Sequence, residues 1–104
     1  MTKKAIASIG QVVTHKVLNY RGVVYDVDPV FMLSDNCYKA VAKNRPPKNE
    51  PWYRILVHNS SKETYVAQRN LIVDDSGAPI EHPQVDRYFL SFLEGRYIPA
   101  RFNN

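Results

Sequence analysis

Apolar and polar positions alternate over most of the first two-thirds of the chain, and the period changes near residue 83. After Gly10, QVVTH predicts a short strand ending at His15, and a turn over residues 17–19 leads into YRGVVYDVDP. In that run Val23, Tyr25 and Val27 fall on one face and Gly22, Val24 and Asp26 on the other, the two-residue period of a strand. Gly22 inside it marks a bulge or a close backbone approach, and Asp28-Pro29 closes it. EPWYRILVH, residues 50–58, alternates in the same way, with Tyr53, Ile55 and Val57 opposite Trp52, Arg54, Leu56 and His58. Residues 59–62 form a hairpin turn into ETYVA, and LIVDDSG adds a short strand and an acidic turn.

From HPQVDRYFLSFLEG the spacing is helical. Val85, Tyr88, Phe89, Phe92 and Leu93 fall at i, i+3, i+4, i+7 and i+8, with Pro83 in the first turn and Gly95 just past the end. The pattern therefore predicts a C-terminal helix near 83–94, followed by the tail RYIPARFNN. Residues 34–51 form a long connection with a helical turn after Ser34 or Asp35, which Pro46 and Pro47 then force extended. Connections of this length inside a compact domain are usually functional or mobile. Four or five short strands and one late helix predict a mainly β fold, a strongly curved sheet or barrel capped by the helix.

Length places all of this in a single domain over residues 1–104. Hydrophobic content of 44% with twelve aromatics supports one core and excludes general disorder. A lone cysteine, Cys37, excludes an intrachain disulfide and a cysteine zinc cluster. The apolar run after the first lysines is too short for a secretory segment, and none is long enough to span a membrane, so the expected location is cytoplasmic.

Net charge is +4, and its distribution says more than its size. Lys39, Lys43, Arg45, Lys48 and Arg54 face only Glu50 across residues 39–54, a net +4 in that window. Such a patch attracts nucleic acid through phosphate contacts and counterion release, or it is simply a solvated loop. Trp52 sharpens the choice. If Tyr53 and Ile55 take the core, Trp52 either projects beside Arg54, suited to base stacking or peptide capture, or is covered by the connection or the helix.

Catalytic signals are sparse. His15, His58 and His82 share no ligand spacing, and nothing marks an oxyanion site beside Cys37. Asp26 and Asp28 share a strand face, as a carboxylate pair would, but Asp28-Pro29 is also a common turn start. The chain contains no GxGxxG, GxxxxGK[ST] or HExxH, and DDSG lacks the rest of a calcium loop. No catalytic residue, metal, cofactor or small-molecule substrate is expected.

The segments IGQVVTHKVLNYRGVVYDVDPVF (9–31), NEPWYRILVH (49–58), TYVAQRNLIVDDSG (64–77) and HPQ (82–84) resemble the HspQ family, also called the YccV-like or hemimethylated-DNA-binding domain. RGVVYDVDP and PWYRILV followed by YVA carry the likeness, which runs from about residue 9 to residue 101. The resemblance implies a small SH3-like β-barrel, cytoplasmic, non-enzymatic and often self-associating. It also implies two roles: binding hemimethylated DNA, and assisting proteolytic removal of damaged proteins under heat stress. Two departures make this chain more basic than the family's pattern, namely the lysine-rich connection and Gln68-Arg69 in YVAQRNL.

Three functions are thus weighed. The first is a stress-response adaptor whose partners are an ATP-dependent protease and its damaged clients. The second is a DNA-binding module using Lys39, Lys43, Arg45, Lys48, Trp52 and Arg54, and an enzyme ranks last. A small homo-oligomer is expected, since short strands leave open edges and the stripe with Tyr88, Phe89 and Phe92 is very apolar.

Overall fold

The computed structural model describes residues 4–41 and 46–100. Among the described residues, seven strands, two short α-helices and a 3₁₀ turn follow one another. Strands β1 (Val12–His15), β2 (Arg21–Asp28), β3 (Trp52–Val57), β4 (Glu63–Ala67) and β5 (Leu71–Val73) form one antiparallel sheet in the order β4-β3-β2-β1-β5. Helix α1 (Asp35–Val41) lies in the long connection, directly after Ser34 as its sequence predicts. Helix α2 (Val85–Tyr88) leads into β6 (Phe89–Leu93), which pairs with β7 (Arg96–Pro99) in a separate two-stranded sheet.

The main sheet is coiled but not closed into a barrel. Val13, Val24, Tyr53, Ile55, Val66 and Leu71, drawn from all five strands, meet in one buried cluster. β4 and β5 nevertheless remain the two edges of the sheet. Val12, Val23 and Leu56 point to the opposite face, where Ile80, Phe89 and Tyr97 cover them.

Two expectations from the pattern need correction. A bulge between Val24 and Asp26 interrupts the β2–β3 register, and one extra residue moves every later side chain to the other face. Val27 therefore joins Val24, Tyr53 and Ile55 on the inner face, while Val23 and Tyr25 pack on the opposite one. Gly22 is the close backbone approach rather than the bulge. A Cβ there would sit 2.6 Å from the Leu56 carbonyl oxygen.

The second correction concerns the C-terminal helix, which is a single turn. Residues 89–93 are extended, and Glu94 (φ +52°) and Gly95 (φ +80°) form a two-residue hairpin turn of the kind that matches strand twist. RYIP, read from the pattern as tail, is the returning strand β7. Hydrogen bonding to β7 rewards residues 89–93 more than a lone amphipathic turn would, because short isolated helices are marginal in water. Tyr97 N–H also donates to the Gly10 carbonyl at 2.8 Å, anchoring the hairpin at the start of β1. Phe89 is buried against Tyr97, so the stripe on which self-association was argued is partly consumed within the chain.

His15 supplies a pH dependence. It is buried, and its Nδ1 accepts the N–H groups of Val17 (3.1 Å) and Leu18 (3.0 Å) in the β1–β2 turn. Burial lowers its pKa from the usual 6.5. The unfolded chain then binds the proton more readily than the folded one, so stability is full above pH 6.5 and declines as pH falls below it. Urea midpoints at pH 7.5 and 5.5 should drop towards acid, and His15→Asn should show a smaller drop. Equal drops in both proteins would remove His15 as a source of the acid sensitivity.

Candidate functional site

β3 places Trp52 and Arg54 two residues apart on one face, and the chain itself occupies the space over Trp52. The indole is 1% exposed. The Phe31 ring meets it edge-on at 4.9 Å, Tyr65 stacks at 5.3 Å, and Nε1 donates to the Pro47 carbonyl at 3.1 Å. Tyr38 of α1 closes the cluster, its hydroxyl donating to the Pro46 carbonyl at 2.7 Å. The connection is thus a cover over a second small core. Of the two arrangements open to Trp52, the covered one is found, and the indole is not a surface platform for a base or a peptide.

The cations around this cluster are matched by carboxylates. Arg54 lies 4.8 Å above the Tyr65 ring, with its nitrogens 3.8 Å from Asp26 and 3.6 Å from Asp28. The carboxylate pair suggested by the sequence does share a face, and it serves Arg54. Asp28 also accepts the Tyr65 hydroxyl at 2.7 Å; burial first, then this bond, push the Tyr65 phenol up to about 12. Lys48 reaches Asp35 at 2.7 Å and lies 4.6 Å from the centre of the Tyr38 ring. The hydrogen bond from Lys48, reinforced by its charge, holds the Asp35 carboxyl below the usual range. Lys39 is exposed on α1, while Lys43 and Arg45 lie outside the described residues. Of the six residues singled out, the structure brings Lys48, Trp52 and Arg54 to one aromatic cluster, but as its seal rather than as a bare cationic surface.

A different feature is open. A groove of about 1000 Å³ is lined by the N-terminal stretch (Ala5, Ile9), β2 (Tyr25), α2 (Arg87, Tyr88) and β7 (Arg96). The Tyr25 and Tyr88 rings pack at 4.6 Å, and Ile98 of β7 adds an apolar wall. The Tyr25 hydroxyl donates to Glu63 at 2.7 Å; burial, then this bond, raise its pKa. Among the described residues no carboxylate belongs to the groove lining. A helix over 83–94 would leave Arg96 and Ile98 in a tail; the groove forms because residues 96–99 return as β7. Glu94-Gly95 between two apolar runs was the available signal.

Among the described residues no group of three or more His, Cys, Asp or Glu side chains is placed to hold a metal ion. His58 and His82, like His15, use Nδ1 to accept a backbone N–H, from Glu81 and Gln84 respectively. His15 and His82 shape turns, whereas His58 ties residue 81 to the end of β3.

An antiparallel sheet whose inner face packs on itself, and whose outer face is covered at Trp52 by the long connection and at Leu56 by the hairpin, defines a small β domain that offers surfaces. Residues 7–96 match the family described as "YccV-like: Hemimethylated DNA-binding protein YccV like", and the chain belongs to that family. Over 94 residues, 88% of the chain, it is 36% identical to F-box only protein 21 of Mus musculus and 35% identical to that of Homo sapiens. It spans about 15% of the length of these curated relatives. The departures at Gln68 and Arg69 have local roles. Gln68 Oε1 accepts the Ile6 N–H at 2.9 Å, tying down the N-terminal stretch, and Arg69 Nε lies 3.9 Å from the buried Glu50 carboxylate.

Proposed function

We propose that the chain is a non-catalytic binding module of the HspQ type, which takes hold of damaged proteins and brings them to an ATP-dependent protease. One contrast supports this reading above others. Lys48 and Arg54, at the Trp52 cluster, already face carboxylates, whereas the large open groove is apolar with arginines at its lining. Damaged proteins expose apolar segments, and an apolar groove is what such segments seek. The relatives fit a module that works as part of something larger, since the matched stretch is 15% of each. Affinity capture from heat-stressed cells, with nuclease treatment, tests it. Protease and client proteins should stay bound after nuclease; loss of every partner on treatment would overturn the reading.

The description of the family favours hemimethylated DNA as a second partner, and a net charge of +4 is compatible with it. In that case affinity rests on phosphates, each contributing about −0.9 to the slope of log K against log salt. Three to five contacts give a slope of roughly −3 to −4.5, which replacement of Lys43, Arg45 and Lys48 by alanine flattens.

A further inference from the structure

We propose that the groove beside β7 binds an extended peptide whose apolar side chains enter it while carboxylates pair with Arg87 and Arg96. The inference rests on the adaptor reading and names the class of segment it would hold. Charge complementarity carries the choice. Among the described residues, Arg21, Arg54 and Arg69 each lie within 3.9 Å of a carboxylate, on Asp74, on Asp26 and Asp28, and on Glu50 respectively. The two arginines that line the groove are the exceptions. Arg96 donates to the Ser8 hydroxyl, and Arg87 lies 5.6 Å from the centre of the Tyr88 ring; among the described residues neither is ion-paired, although Arg96 also borders a smaller pocket that holds Asp74, Asp75 and Glu94. A guanidinium is built to receive a carboxylate through two parallel hydrogen bonds, and here that capacity is left over on an apolar wall.

Nucleic acid suits the groove less well. Tyr25 and Tyr88 pack on one another at 4.6 Å, so their facing surfaces are already used rather than offered to a base. Ala5, Ile9 and Ile98 give a sugar-phosphate chain nothing to bind, whereas they accommodate leucine or phenylalanine side chains. Ile9 (38%) and Ile98 (37%) keep enough exposure to make such contacts.

The test uses the full chain and an array of fluorescent decapeptides. The peptides alternate Leu or Phe with Glu, Gln or Lys, and a hemimethylated duplex serves as comparator. The Glu series should bind best. Arg87→Gln combined with Arg96→Gln should weaken it roughly five- to tenfold, as loss of two partly exposed ion pairs would, and leave the Gln series unchanged. Ile98→Glu should weaken both the Glu and Gln series, and melts of all variants would check that the fold is kept. Unchanged preference for Glu in the double arginine variant would overturn the groove while leaving the adaptor reading intact. So would an absence of array binding by a protein that still retains clients in the capture experiment. Tightest binding to the duplex, lost in the double variant, would assign the groove to DNA.

Discussion

Trp52→Ala should destabilise the domain by about 3–5 kcal/mol, the range for deletion of a buried tryptophan. The indole is enclosed by Phe31, Tyr38 and Tyr65, and its N–H bonds to the Pro47 carbonyl, so truncation opens a cavity and releases a clasp on the connection at once. The surrounding rings are large and held by their own bonds, Tyr38 to Pro46 and Tyr65 to Asp28, which limits collapse into the space. Chemical denaturation of the variant measures the cost. A loss below about 1 kcal/mol would place the indole at the surface, where a projecting aromatic costs little to remove.

Ile55→Ala should cost about 2–5 kcal/mol, from lost apolar transfer and a residual cavity. Ile55 is fully buried in the cluster to which all five strands of the main sheet contribute, opposite Val24 in the β2–β3 register. Its Cγ2 also packs where a Cβ on Gly22 would otherwise stand, so the two positions are complementary in volume. An unchanged melting midpoint would remove Ile55 from the core.

The strands of the main sheet were legible because each is a local alternation bounded by punctuation: Gly10 before β1, Asp28-Pro29 after β2, Pro51 before β3 and residues 59–62 after it. Faces within β2 were not, since a bulge is a feature of pairing between strands and leaves only a weak mark in one of them. The hairpin β6–β7 was missed for a related reason. Val85, Tyr88, Phe89, Phe92 and Leu93 satisfy helical spacing, yet Phe92 faces Tyr97 and Leu93 faces Arg96 across a turn that the spacing ignores. Long-range pairing overrode local period.

The same distinction separates the two candidate surfaces. The cations of residues 39–54 stood out as a run, but Asp26, Asp28 and Asp35, which meet Arg54 and Lys48, come from elsewhere in the sequence. Charge counted along a window misses carboxylates delivered by the fold. The groove is the converse case, with Tyr25, Arg87 and Arg96 spread over three elements and brought together only when β7 docks at the start of β1.

The most direct measurement is the half-life of a heat-damaged client protein in a reaction containing an ATP-dependent protease, with and without this chain. The account predicts that the chain shortens the half-life, that excess duplex DNA leaves this effect in place, and that Arg87→Gln with Arg96→Gln diminishes it. An unchanged half-life, from a protein that selectively binds hemimethylated duplex in parallel, would contradict the account and make DNA the partner.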